Sequence, residues 1–178
     1  IKTKLDEYML NVPDSYDFED KEVVLETKTK LELECPVNGE VMPIEDASDS
    51  MFAHKLMGDG IMIRPCDGVV VAPCDGVISM IYPTKHAIGI TIDDNTQILI
   101  HFGTDSAKLN GKGFELLVRA NQKVNAGDVL WNADLMYIKE NTLDENIIVV
   151  FTKIKDGAEL EKKYGKMQCH DMMLRVKG

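Results

Sequence analysis

No apolar run in this chain approaches the roughly 20 residues that a membrane-crossing helix needs. The start, Ile1-Lys2-Thr3-Lys4, lacks an initiator methionine and the apolar core of a signal peptide. That beginning suggests a fragment or processed chain. Aromatics are scarce at 6%, and there is a single tryptophan. Cations are outnumbered, 20 Lys and Arg against 30 Asp and Glu, which gives a net charge of −10. Such a surface repels nucleic acid and suits basic protein partners. Cysteine is sparse too: Cys35, Cys66, Cys74 and Cys169 show no CxxC or metal-finger spacing. They read as reduced thiols of an intracellular protein, most of them buried, not as a disulfide framework.

Present instead are 178 residues with 44% hydrophobic content, enough for one domain with a core that needs no staples. Residues 1–30 are polar and charge-rich and read as an N-terminal arm or inter-domain linker. Leu5, Tyr8, Met9 and Val12 have helical spacing, Asn11 to Ser15 signals a turn, and Glu22 to Glu34 alternates like an edge strand. From Leu31 onward the pattern becomes globular, so 31–178 is the expected domain.

Short β-prone runs follow one another: Leu31–Cys35, Glu40–Ile44, Ile61–Arg64, Val69–Ala72, Val77–Tyr82, Ile88–Ile92 and Gln97–His101. Close spacing of this kind predicts an all-β antiparallel sandwich or barrel. Helical signal is limited to Phe114–Val118, Asp134–Lys139 and Asp156–Lys163, each a turn or two. An internal repeat punctuates the strands. Pro65-Cys66-Asp67-Gly68 recurs as Pro73-Cys74-Asp75-Gly76, with Pro36-Val37-Asn38-Gly39 as a relative, and Asn125-Ala126-Gly127-Asp128 is a similar unit. Proline presets φ and glycine accepts positive φ, so each should be a tight turn launching a strand.

Two histidines stand apart. Ile98-Leu99-Ile100-His101 alternates as a strand, and Phe102-Gly103 then permits a bend. His86 opens an earlier apolar run, so antiparallel pairing would bring both imidazoles to one face. Imidazole titrates near neutrality and is costly to bury without partners. Spacing leaves three readings open: a zinc site, a nucleophilic or acid–base pair, or a structural pair. His54 and His170 lie in polar surroundings and are assigned to surface or structure.

The series Thr84-Lys85-His86-Ala87, His101-Phe102-Gly103-Thr104-Asp105, Leu109-Asn110-Gly111-Lys112-Gly113-Phe114 and Val124-Asn125-Ala126-Gly127-Asp128 resembles the enzyme IIA component of the glucose family of bacterial phosphoenolpyruvate-dependent sugar phosphotransferase systems. Phe52-Ala53, Met57-Gly58-Asp59-Gly60 and Ala72-Pro73-Cys74-Asp75-Gly76 extend the likeness, which runs from about Leu31 to about Val176. It implies a duplicated hybrid motif: an antiparallel β-sandwich with few short helices. It further implies that His101 accepts a phosphoryl group from the phosphocarrier HPr and passes it to the cysteine of a IIB domain, with no cofactor. His86 would steady the phosphoryl group, and Thr84 would orient His86. Phe52, Leu99 and Ala107 match an apolar docking face, with Asp49 and Asp105 at its rim.

A cytoplasmic location, without membrane insertion, goes with those roles, and the IIB partner could be fused in the same polypeptide. A regulatory binding module acting on a transporter or metabolic enzyme is the alternative. Zinc hydrolysis is a third reading, but His101-Phe102-Gly103 lacks the HxH ligand pair, so zinc at His86 and His101 would be adventitious.

Overall fold

The structure, a computed structural model, describes residues 31–178. The expected N-terminal helix, turn and first part of an edge strand lie outside the described residues. Among the described residues, fourteen strands form three antiparallel sheets. The largest runs β13 (Gly165–Met167), β2 (Gly39–Pro43), β3 (Gly60–Pro65), β11 (Asp144–Lys153), β7 (Thr96–Thr104), β6 (Ala87–Asp93), β5 (Gly76–Ile81), β9 (Lys123–Val124). A second sheet joins β1 (Glu32–Glu34), β14 (Met172–Lys177) and β12 (Glu159–Lys162). The third joins β4 (Val69–Val71), β10 (Val129–Ala133) and β8 (Phe114–Leu116). Among the described residues there are two short α-helices, α1 (Ser50–Ala53) and α2 (Leu135–Asn141).

All seven strands expected before His101 form, most of them shifted at an end by a residue or more. The alternation of β7 sorts its side chains. Ile98, Ile100 and Phe102 go to the main core with Ile63, Ile88, Ile90 and Trp131. Burying each such aliphatic side chain contributes about 1.5–3 kcal/mol. The opposite face carries Leu99 and His101, and it is not bare. Leu99 packs in a second cluster with Ile44, Phe52, Met62, Ala87, Ile148 and Val150. Coverage on both faces explains the near-continuous apolar run Ile147 to Phe151 of β11, the strand between β3 and β7.

Two of the three expected helices are strands. Phe114–Leu116 pairs with Trp131–Ala133, and the Phe114 ring stands edge-on to Phe102 at 5.5 Å. Glu159–Lys162 pairs with Leu174–Lys177, launched from a turn at Gly157 with φ +81°. Cross-strand partners overrode local helical spacing in both. Asp134–Lys139 does turn helical, with the Asp134 carboxylate accepting from the Tyr137 N–H at 3.1 Å.

Gly127 is left-handed as expected, at φ +94°, but the other repeated turns differ from expectation in their reason for glycine. Gly39, Gly68 and Gly76 do not occupy positive φ. A Cβ at Gly39 would lie 2.2 Å from the Arg64 carbonyl oxygen, and one at Gly68 1.9 Å from that of Ala133. Glycine is required because backbones press together there, not because the turn is left-handed. The repeats in fact pair with one another: Cys66 N–H donates to the Asn38 carbonyl at 2.9 Å, and Val71 N–H to that of Pro36 at 2.8 Å. Among the cysteines, Cys35 and Cys74 are buried, but Cys66 is exposed and Cys169 is half-buried, so only two of the four fit the buried reading. Burial pushes the Cys35 thiol up to about 11 and Cys74 to about 12, which leaves both inert.

Candidate functional site

In the β6–β7 ladder His101 is registered against Ala87, and Phe102 N–H donates to the His86 carbonyl at 2.8 Å. His86 therefore sits at the mouth of β6, beside His101. Their ring centroids are 4.8 Å apart at an interplanar angle of 82°. Across β11, His101 faces Ile148.

The turn that delivers His86 is tightly built. Lys85 N–H donates to the Tyr82 carbonyl at 2.8 Å, and Lys85 itself takes a left-handed φ of +60°. Its carbonyl accepts the indole N–H of fully buried Trp131 at 2.8 Å. The Thr84 hydroxyl lies 2.6 Å from His86 Nδ1. With that hydroxyl donating, the proton of the neutral ring resides on Nε2. The Tyr82 ring stands edge-on to His86 at 5.3 Å. His86 is 4% exposed, and burial lowers its pKa.

Among the described residues His101 Nδ1 is buried without a hydrogen-bond partner, so Nε2 is the nitrogen free to meet a donor. The Gly103 carbonyl favours a proton on this ring without reaching the geometry of a formed hydrogen bond. Gly103 itself has φ +82°, the bend expected after the histidine. Burial above all, then the neighbouring His86, push the His101 pKa down to about 4, against the opposing pull of Asp49 and Asp144. The ring is thus neutral and nucleophilic throughout the physiological range.

That depression makes stability pH-dependent. Between about 6.5 and about 4 the unfolded chain binds a proton at this position that the folded chain excludes, so stability falls as pH drops through that window. His101→Gln should flatten part of the slope, as read from denaturant midpoints at neutral pH and near pH 4.5. An unchanged slope would contradict a ring kept neutral by its surroundings.

Of the remaining residues singled out, Phe52 packs its ring 5.0 Å from that of His101. Phe52 and Leu99 are only 6% and 3% exposed, so they underlie the surface more than form it. Exposed apolar groups on neighbouring segments are Met51, Leu56 and Met80. Asp49 caps α1 by accepting from Met51 N–H at 2.9 Å. Asp105, with φ +62°, pairs with Lys108 at 2.8 Å, and Ala107 lies exposed on the 3-10 turn Ser106–Leu109. His54 and His170 are exposed. Sequence reasoning missed Tyr82, Trp131 and Asp144. The aromatics stand alone in sequence, and Asp144 belongs to no motif. Among the described residues no group of three or more His, Cys, Asp or Glu side chains is placed to hold a metal. No helix among them is long and apolar enough to cross a membrane.

Fold and comparisons together define a β-sandwich component of a phosphotransferase system. The family model for the phosphoenolpyruvate-dependent sugar phosphotransferase system, EIIA 1, matches residues 31–157. The glucose-specific EIICBA component of Staphylococcus carnosus (strain TM300) is 43% identical over 144 residues, covering 80% of this chain and 21% of that protein. The chain therefore spans about a fifth of that relative's length. The solved glucose permease IIA from Mycoplasma capricolum superposes with a TM-score of 0.79 at 32% identity, covering 83% of this chain and 96% of that one. The chain belongs to the EIIA type-1 family of the sugar phosphotransferase system. These relatives do not favour the regulatory-module alternative.

Proposed function

We propose that residues 31–178 form a phosphoryl carrier that accepts phosphate from phospho-HPr on His101 and donates it to the cysteine of a IIB domain during sugar uptake. The observation that carries this reading is the imidazole pair, 4.8 Å apart, with one ring backed by a threonine hydroxyl. The Nε2 lone pair of neutral His101 forms the new P–N bond as the donor's P–N bond breaks, its electrons returning to the donor ring. Such transfer proceeds through a loose transition state and depends on positioning and charge stabilisation. His86 supplies the second: with Thr84 on Nδ1, its Nε2–H is available to the phosphoryl oxygens. No cofactor enters the reaction.

The second-cluster face around Phe52 and Leu99, with Ala107, receives the partners, and Asp49 and Asp105 attract basic groups on HPr. Residues 1–30 serve as an arm or linker to a neighbouring domain, and the site works in the cytoplasm. The EIICBA name of the Staphylococcus relative supports a IIB partner in the same polypeptide. Incubation with phosphoenolpyruvate, enzyme I and HPr should yield an acid-labile, base-stable phosphoprotein that discharges onto IIB. A chain that stays unlabelled while HPr is phosphorylated would overturn the proposal.

A further inference from the structure

Asp144 opens β11, and its carboxylate accepts three hydrogen bonds. Oδ1 accepts from the Thr104 hydroxyl at 2.7 Å and from Asn146 N–H at 3.1 Å, and Oδ2 accepts from the Ser48 hydroxyl at 2.9 Å. The bond to Asn146 is a local turn contact with no bearing on the site. The other two are not local. Thr104 ends β7, the strand that carries His101, and Leu143 N–H also donates to its carbonyl at 3.2 Å. Ser48 immediately precedes Asp49, which caps α1, and α1 brings the Phe52 ring against His101. The register of β11 against β7 shifts between Asp144 and Ile147, so Asp144 stands at an irregularity where a side-chain tie can set the spacing.

Resting on the carrier reading above, we propose that Asp144 is a positioning residue for transfer at His101: through Ser48 and Thr104 it clasps the Asp49–Phe52 segment to the end of the His101 strand. Ordered loops can be capped by carboxylates without any such purpose. Here, however, one carboxylate joins the segment that flanks the ring to the strand that carries it, and both flanks must hold still during in-line transfer. The negative charge adds a second effect. When Nε2 attacks, the ring keeps its Nδ1 proton and carries positive charge until the phosphoryl group leaves. The charged or titratable groups acting on the ring are His86 from the turn before β6, Asp49 at α1 and Asp144 at β11. Both carboxylates favour the charged ring.

The test combines transfer kinetics from phospho-HPr with amide hydrogen exchange in the same chain. Asp144→Ala should lower kcat/KM on the order of tenfold to a hundredfold, the scale of a small misplacement of reacting groups. It should also speed exchange at the Phe52 and Ala53 amides, which bond to the Asp49 carbonyl. Ser48→Ala, a substitution at an exposed position, should raise KM and speed the same amides with little change in kcat. Asp144→Asn keeps an acceptor oxygen for Thr104 and can donate its amide N–H to the Ser48 hydroxyl oxygen, so it should restore slow exchange and KM while kcat stays reduced. Unchanged exchange and KM in Asp144→Ala would overturn the clasp. A uniform loss of protection across all strands would do so too, since that marks a residue serving general stability. An unlabelled wild-type chain would sink the carrier reading alone, because exchange judges the clasp without phosphoryl chemistry.

Discussion

His101→Ala should reduce labelling from phospho-HPr to background while leaving the sandwich folded. The expectation rests on the ring itself: it offers the neutral nitrogen at the site whose other nitrogen is buried and cannot reach a donor. His86 is no substitute. Its Nδ1 is engaged by Thr84, and at 4% exposure it is too enclosed to meet a partner's phosphohistidine. The fold should tolerate the change, because the lost ring was half-buried with an unsatisfied nitrogen and its contact with Phe52 is worth about 0.5–1.5 kcal/mol. Radiolabel transfer and a thermal melt read the two halves separately. Undiminished labelling would remove His101 from the mechanism.

His86→Gln should separate acceptance from donation. Accepting phosphate requires a nucleophile, which His101 still supplies, so labelling should persist. Donation to a cysteine brings a thiolate toward a phosphoryl group that already bears negative charge, and repulsion makes the loss of one aligned donor costly. Removing a single such donor typically costs about 10²–10³-fold, and that is the expected drop in discharge to IIB. Glutamine has an amide N–H of similar reach, but nothing near Thr84 dictates which end of the amide turns toward the phosphoryl group. Rapid-quench measurement of both half-reactions provides the comparison. Normal discharge would reduce His86 to packing.

The strands were legible because two-sided alternation is a local property. Ile98, Leu99 and Ile100 declare their faces within one heptapeptide, and β6 and β7 then had to bring His86 toward His101. What spacing alone left open was chemistry, since a zinc ligand and a nucleophile look alike in sequence. Phe114–Leu116 and Glu159–Lys162 misled because their partners in β10 and β14 lie outside the few residues over which helical spacing is read, and they impose extension that no local pattern encodes. Asp144 was illegible for the same reason: its hydroxyl partners are Ser48 and Thr104, and no short window contains all three. Gly39, Gly68 and Gly76 of the repeated turns were placed correctly but for the wrong cause, because close approach of a neighbouring carbonyl leaves no trace in the turn's own residues.

The indole of Trp131 has a consequence outside the chemistry of transfer. It is the chain's sole tryptophan, it is wholly shielded from water, and its N–H is bound to the carbonyl one residue before His86. Tryptophan fluorescence of this domain therefore has one source, seated under the turn that carries the second imidazole. The chain comes with its own optical gauge of that turn, readable in intact protein and without an attached dye.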